Sequence, residues 1–199
     1  MAELIVGGLA FLLFILYDLA QVGVFGKRFH SMMRLCFLFG FVFLAFSTSH
    51  AAGLSLAALA SWKLHAVFFL CCAGCFLVLL IYTLFFALPF QKTYVAQDVG
   101  HKVCAQGMYA LCRHPGVLWF VGFYFSLWFA LGGVHLFCMA LWYSCLNLCY
   151  VFFQDRYTFA KIFFDYAHYK QQVPFLIPNR KSVRQCLSTL RKAGGFGEI

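Results

Sequence analysis

RHPGVLWFVGFYFSLWFALGGVHLFCMALWYSCLNLCYVFFQD, Arg113 to Asp155, is the stretch that decides how this chain folds. It holds two apolar runs, about Pro115–Leu131 and Val134–Phe153, joined only by Gly132-Gly133. Each run has, or nearly has, the roughly 20 residues that a helix needs to cross a bilayer. So short a connection forces the two helices to be antiparallel neighbours. The start of the first and the end of the second must then meet at one membrane face. Arg113-His114-Pro115 stands at the first point and Gln154-Asp155 at the second. Topology alone predicts that these polar groups face each other.

Three further apolar runs lie upstream, at about Leu4–Phe25, Leu35–Leu56 and His65–Leu88, the last ending at Pro89. The first is expected to be a span and not a signal peptide. Its front carries Glu3, it has no basic leading region, and no small-residue cleavage site stands out. Composition agrees with a membrane bundle. The chain of 199 residues is 64% hydrophobic and 11% charged, and 27 of its residues are Phe. Soluble domains sit near one half apolar and one quarter charged. The expected fold is therefore an all-α integral membrane protein, a single domain over residues 1–199 with about five transmembrane helices.

The formal net charge of +9 would suggest nucleic acid in a soluble protein. Here the basic residues flank apolar runs, which excludes that reading in favour of membrane topology. With five spans, every Lys and Arg except Lys63 falls on the side that holds the C-terminal tail. The positive-inside rule then places the N-terminus outside and the tail in the cytoplasm. The 10 cysteines do not form a disulfide or zinc framework. Cys71, Cys72, Cys75, Cys138, Cys145 and Cys149 lie in apolar runs, where free Cys behaves as a small hydrophobe. No CxxC pair is matched by a second pair or by well-spaced histidines, so no metal is expected. His50, His65 and His135 are expected near the outer face without clustering.

After the fifth run comes RYTFAKIFFDYAHYKQQVPFLIP, Arg156–Pro178. It is too polar to cross, and an amphipathic interfacial helix ending before Pro174 is expected. The basic tail, residues 179–199, is expected either to touch anionic lipid or to be partly disordered.

Few residues are placed to carry chemistry. Pro115 suits a first helical turn, where its missing N–H costs nothing. The amides that follow, with the helix dipole, favour an anion. Arg113 and His114 add a permanent cation and a titratable donor. An ordinary basic membrane flank before a helix-starting proline is the plain alternative. Gln154-Asp155 is either a solvated helix end or a carboxylate facing a cationic ligand. Asp18 and Gln21, near the end of the first run, are either functional or reach the interface.

HKVCAQGMYALCRHP, His101–Pro115, resembles the segment that precedes and includes the RHPxYxG motif of isoprenylcysteine carboxyl methyltransferases. The wider group includes membrane phospholipid N-methyltransferases. His101, Gly107, Tyr109, Arg113, His114 and Pro115 match in type and spacing. Tyr166, Tyr169, Val173, Pro174, Ile177 and Pro178 match the family's YxxYxxxVPxxIP ending. The family's Glu-Glu pair falls on Gln154-Asp155. The resemblance covers about residues 100–178. It departs at Val117 and Trp119, where the motif has Tyr and Gly, at Gln154 and at Phe163, where the family has Gly.

The resemblance implies a multi-span enzyme that methylates a lipidic or prenylated acceptor with S-adenosylmethionine. His101, Gly107, Tyr109, Arg113, His114, Pro115, Gln154 and Asp155 would bind the cofactor from the cytoplasm, with His114 and Asp155 as catalytic candidates. The acceptor would enter laterally from the bilayer. The alternative is a non-catalytic membrane protein on the same scaffold, as nurim-like relatives are. A transporter is less well supported, because the spans lack paired charges and broken-helix signals.

Overall fold

A computed structural model describes residues 1–25, 27–57, 64–87, 102–103 and 105–194, with backbone alone at 27–34, 56–57 and 191–194. Its helices are α1 (Ala2–Gln21), α2 (Lys27–Ala57), α3 (Leu64–Ile81), α4 (Met108–Leu111), α5 (Pro115–Leu131), α6 (Val134–Phe153), α7 (Phe159–Ile162), α8 (Tyr166–Gln172) and α9 (Arg180–Gly194). No strand occurs among the described residues.

Four segments are long and apolar enough to cross a membrane: Ala2–Gln21, Leu35–Ser55, Leu64–Phe86 and Val134–Ile162. The expected fourth span, α5, is a shorter apolar helix of 17 residues. At 1.5 Å per residue it is roughly 26 Å long, a little less than the roughly 30 Å hydrocarbon layer.

The bundle is two helix pairs closed by α6. α1 lies along α2, α3 lies along α5, and α6 packs on both α5 and α1. The centre is filled by Phe11, Phe14, Phe120, Tyr124, Met139 and Tyr143. Gly7 lets α1 approach α6 closely, since a Cβ there would run into the Tyr143 ring. The buried Tyr143 hydroxyl donates to the Glu3 carbonyl at 2.6 Å.

The α5–α6 connection is as tight as the Gly-Gly pair requires. Gly132 has φ 73 and ψ −165, and Gly133 has φ 85. Both are conformations that side chains disfavour.

At this end of the bundle two of the histidines, His50 and His135, meet at Glu3. His50 Nδ1 lies 3.0 Å from Glu3 Oε1, and His135 Nε2 lies 3.5 Å from Glu3 Oε2. α1, α2 and α6 place these ends side by side, which residue spacing alone does not reveal.

The segment after α6 departs from the expected single amphipathic helix. Hydrogen bonding widens to i→i+5 over Gln154–Thr158, and the helix then runs on as α7. Phe163 turns extended, at φ −106 and ψ 120, and α8 starts afresh. At the break Asp165 Oδ1 accepts the Val103 N–H at 2.9 Å, and Phe163, Tyr166, Tyr169 and Val173 are buried together against Val103 and Ala105. Contacts with this distant segment take the place of the helical hydrogen bonds lost there. α9 is ordered as a helix from its capping: Asn179 Oδ1 accepts from the Ser182 N–H at 2.8 Å, and Ser182 Oγ accepts from the Asn179 N–H at 3.0 Å. This reciprocal pair satisfies amides that a helix start otherwise leaves open.

Candidate functional site

Three elements converge on Asp155. Arg113 and His114 come from the turn before α5, Asp155 from the widened turn after α6, and Tyr166 and Lys170 from α8. The turn before α5 is tied to the tail. Pro115 occupies the first helical position and His114 the cap, at φ −127 and ψ 62. The Arg113 N–H donates to the Pro174 carbonyl at 2.9 Å.

The widened turn carries the buried carboxylate. Single π-type turns inside α-helices are frequent at functional sites. Here the turn buries Asp155 and not Gln154. Asp155 therefore does not sit at a solvated helix end.

Asp155 is surrounded by donors. Arg113 Nη1 lies 3.3 Å from Oδ1, and Lys170 Nζ lies 2.8 Å from Oδ2. The Tyr166 hydroxyl donates to Oδ1 at 2.7 Å. His114 Nε2 is 3.4 Å from the same oxygen. A carboxylate only accepts, so the proton of neutral His114 belongs on Nε2 and Nδ1 is the ring's acceptor. Phe159 stacks on the His114 ring at 5.8 Å, and Phe175 meets it edge-on at 5.1 Å. Phe175 also lies beneath the Arg113 guanidinium, 5.4 Å from its centroid.

Burial dominates the acid-base character of these groups. It pushes the His114 pKa below its ordinary value against the opposing pull of Asp155, with Arg113 and Lys170 adding to the depression. His114 is therefore neutral at physiological pH. Burial and the hydrogen bond to Asp155 push the Tyr166 phenol upward, so it remains a donor. Burial also raises the nearby Cys112 thiol to about 11, which removes it as a nucleophile at neutral pH.

The cluster keeps a positive balance: two permanent cations face one carboxylate. Buried Arg113 Nε has no hydrogen-bond partner among the described residues, and neither does Thr158 Oγ1 in the turn that carries Asp155. An anionic group suits these unmatched donors. A cationic group could reach Asp155 only by displacing Lys170, whose side chain is 30% exposed against 12% for Arg113.

The other expected residues serve different contacts. Gln154 turns to α1, and its Nε2 donates to Asp18 Oδ2 at 2.8 Å and to the Tyr150 hydroxyl at 2.9 Å. Asp18 is thus an interior partner of Gln154. The Tyr109 hydroxyl donates to the Thr83 carbonyl at 3.0 Å. Gly107, at φ 57, gives its N–H to Thr189 Oγ1 on α9 at 3.0 Å. His101 lies outside the described residues.

The tail residues organise the site. Tyr166, Tyr169 and Val173 recur at helical spacing and are buried together. The Tyr169 hydroxyl donates to the Tyr109 carbonyl at 2.6 Å. At the departing positions, Val117 is buried in α5. Trp119 Nε1 donates to Thr83 Oγ1 at 3.0 Å. Phe163 fills the α8 cluster.

Lys170 was not signalled by sequence reasoning as a site residue. Its placement four residues after Tyr166, on the same helical face, was the available clue. No family model, curated protein or solved structure matches the chain.

Proposed function

We propose that this chain is an integral membrane methyltransferase that uses S-adenosylmethionine to methylate a lipidic acceptor. The observation that carries the reading is the buried meeting of Arg113, His114 and Asp155 with Tyr166 and Lys170 from the tail. These residues come from the very segments whose pattern resembles the methyltransferase family. A bundle that only fills the bilayer has no need to gather four cationic or titratable groups around one buried carboxylate.

The residues fit the cofactor's ionic ends. Arg113, with its unmatched Nε, would hold the carboxylate. Asp155 would face the amine or sulfonium once Lys170 turned outward. Bound there, S-adenosylmethionine supplies an electrophilic methyl group. His114, neutral and with Nε2 directed at Asp155, presents Nδ1 as the atom able to take a proton from an amine or thiol acceptor. Asp155 is the poorer base: against the upward push of burial, hydrogen bonds from His114, Lys170 and Tyr166 and the charge of Arg113 hold its pKa below the usual carboxylate range. Phe159 and Phe175 exclude water around this pair, which favours a reaction that depends on alignment. An apolar acceptor would enter from the bilayer, and the cofactor from the cytoplasmic side under the orientation that the basic residues favour.

A second reading also has an observation in its favour. Asp155 is already satisfied by Arg113, Lys170, His114 and Tyr166, as a structural ion cluster would be. That reading is a non-catalytic membrane protein on the same scaffold. Isothermal titration of the protein in nanodiscs separates the two. Saturable cofactor binding is expected, and Arg113→Ala should weaken it by about 1.5–3 kcal/mol, the worth of a charge-assisted contact. Equal affinity in the variant would remove Arg113 from the site. Absence of binding by the wild type, with no methylated product from a lipid extract, would establish the non-catalytic reading.

A further inference from the structure

α9 carries a surface that the methyl-transfer reading does not use. Its inward face is settled by contacts. Ser182 and Cys186 are buried, and Thr189 Oγ1 accepts the Gly107 N–H at 3.0 Å. Leu190 Cδ2 would lie 3.6 Å from a Cβ at Gly107. These contacts dock α9 on α4, shortly before α5 enters the apolar bundle. α9 is therefore held at the level where the spans end.

The remaining surface divides in two. Val183 and Leu187, one turn apart, are exposed, Leu187 at 61%. Arg180 and Arg184 are exposed beside them. Arg191 repeats the register of Arg184 seven residues on. Lys181 and Ser188 are exposed on the opposite edge. No described segment covers Val183 and Leu187. α9 contains no Asp or Glu to offset its cations.

We propose that α9 is an interfacial helix that docks on an anionic bilayer surface, with Val183 and Leu187 entering the headgroup boundary and Arg180 and Arg184 meeting lipid phosphates. The pairing of exposed aliphatic side chains with flanking arginines at the level of the span ends carries the assignment. Aliphatic side chains alone would suit a protein groove, and cations alone would suit water or nucleic acid. Together they match the two layers of a membrane interface. Lys181, on the far edge, stays in water.

The test uses full-length protein in nanodiscs of phosphatidylcholine, with and without phosphatidylglycerol. Leu187→Cys and Lys181→Cys are treated with a water-soluble maleimide, and labelling at each position is read by peptide mass mapping. Leu187→Cys is expected to label about tenfold more slowly in the anionic discs than in the neutral ones. Lys181→Cys should label rapidly in both. Adding Arg180→Gln and Arg184→Gln should return Leu187→Cys to the faster rate. Equal labelling of Leu187→Cys in the two lipids overturns the proposal. If that common rate is fast, the face is free in water, and if slow, it is covered without any need of anionic lipid.

Discussion

Asp155 and Gln154 are neighbours in the chain, yet they answer to different parts of the molecule. Asp155 is the sole anion facing Arg113 and Lys170 among the described residues, with only 8% of its side chain exposed. Asp155→Asn would strand the Arg113 guanidinium in a low-dielectric pocket, and breaking a buried pair typically costs about 3–5 kcal/mol. A marked loss of thermal stability in detergent is expected, together with loss of any methyl transfer. Gln154→Glu would restore the residue found in the resembled family. In this structure it would instead set a second carboxylate against Asp18, 2.8 Å away. Gln154→Glu is therefore also expected to destabilise, whereas Gln154→Glu combined with Asp18→Asn should recover most of the loss. Full stability of the single variant would show that Gln154 does not hold α1 to α6.

His114 makes a prediction with a definite sign. Its folded pKa lies below the ordinary 6.5, chiefly because it is buried. Above that value the ring is neutral in both folded and unfolded chains. As pH falls below it, the unfolded chain takes the proton first, so stability drops until the lower folded pKa is passed. Thermal midpoints measured from pH 7.5 to 5.5 should fall for the wild type by more than for His114→Gln. Parallel curves would mean that burial does not suppress protonation of His114.

At the scale of elements, the α5–α6 hairpin fixes which helix ends meet. Gly132 sits at φ 73 and ψ −165, and nothing lies within 4 Å of where a Cβ would be. Any cost of Gly132→Ala is therefore conformational and not steric, of the order of 1–3 kcal/mol. Gly53 has open space too, but it lies within α2, with no positive φ. Gly53→Ala is expected to be neutral or slightly stabilising. Unfolding of the two variants in the same detergent gives the comparison, and equal stabilities would remove strain from the hairpin. The widened turn at Gln154–Thr158 acts at the same scale. Within it Asp155 faces Arg113 while Gln154 faces α1.

At the scale of the whole molecule, the span count and the basic residues together predict which way the chain sits. Lys181, exposed at the start of α9, is a better reporter than the buried Cys186. Lys181→Cys should resist an impermeant maleimide in intact cells and react once the membrane is opened. Reaction from outside would reverse the orientation and, with it, the proposed side of cofactor entry.

The spans, the antiparallel hairpin and the facing of Arg113-His114 with Asp155 were legible in the sequence by itself. Apolar runs must be helices in a bilayer, because no water is present to satisfy free backbone groups. A two-glycine connection then permits only one arrangement of neighbours. The pairing of Gln154 with Asp18, the entry of Lys170 and the break between α7 and α8 were decided only by tertiary structure. Each depends on which way a side chain points after a widened or broken turn. That direction is set by packing against α1 and α5, residues distant in the chain, and local spacing carries no record of it.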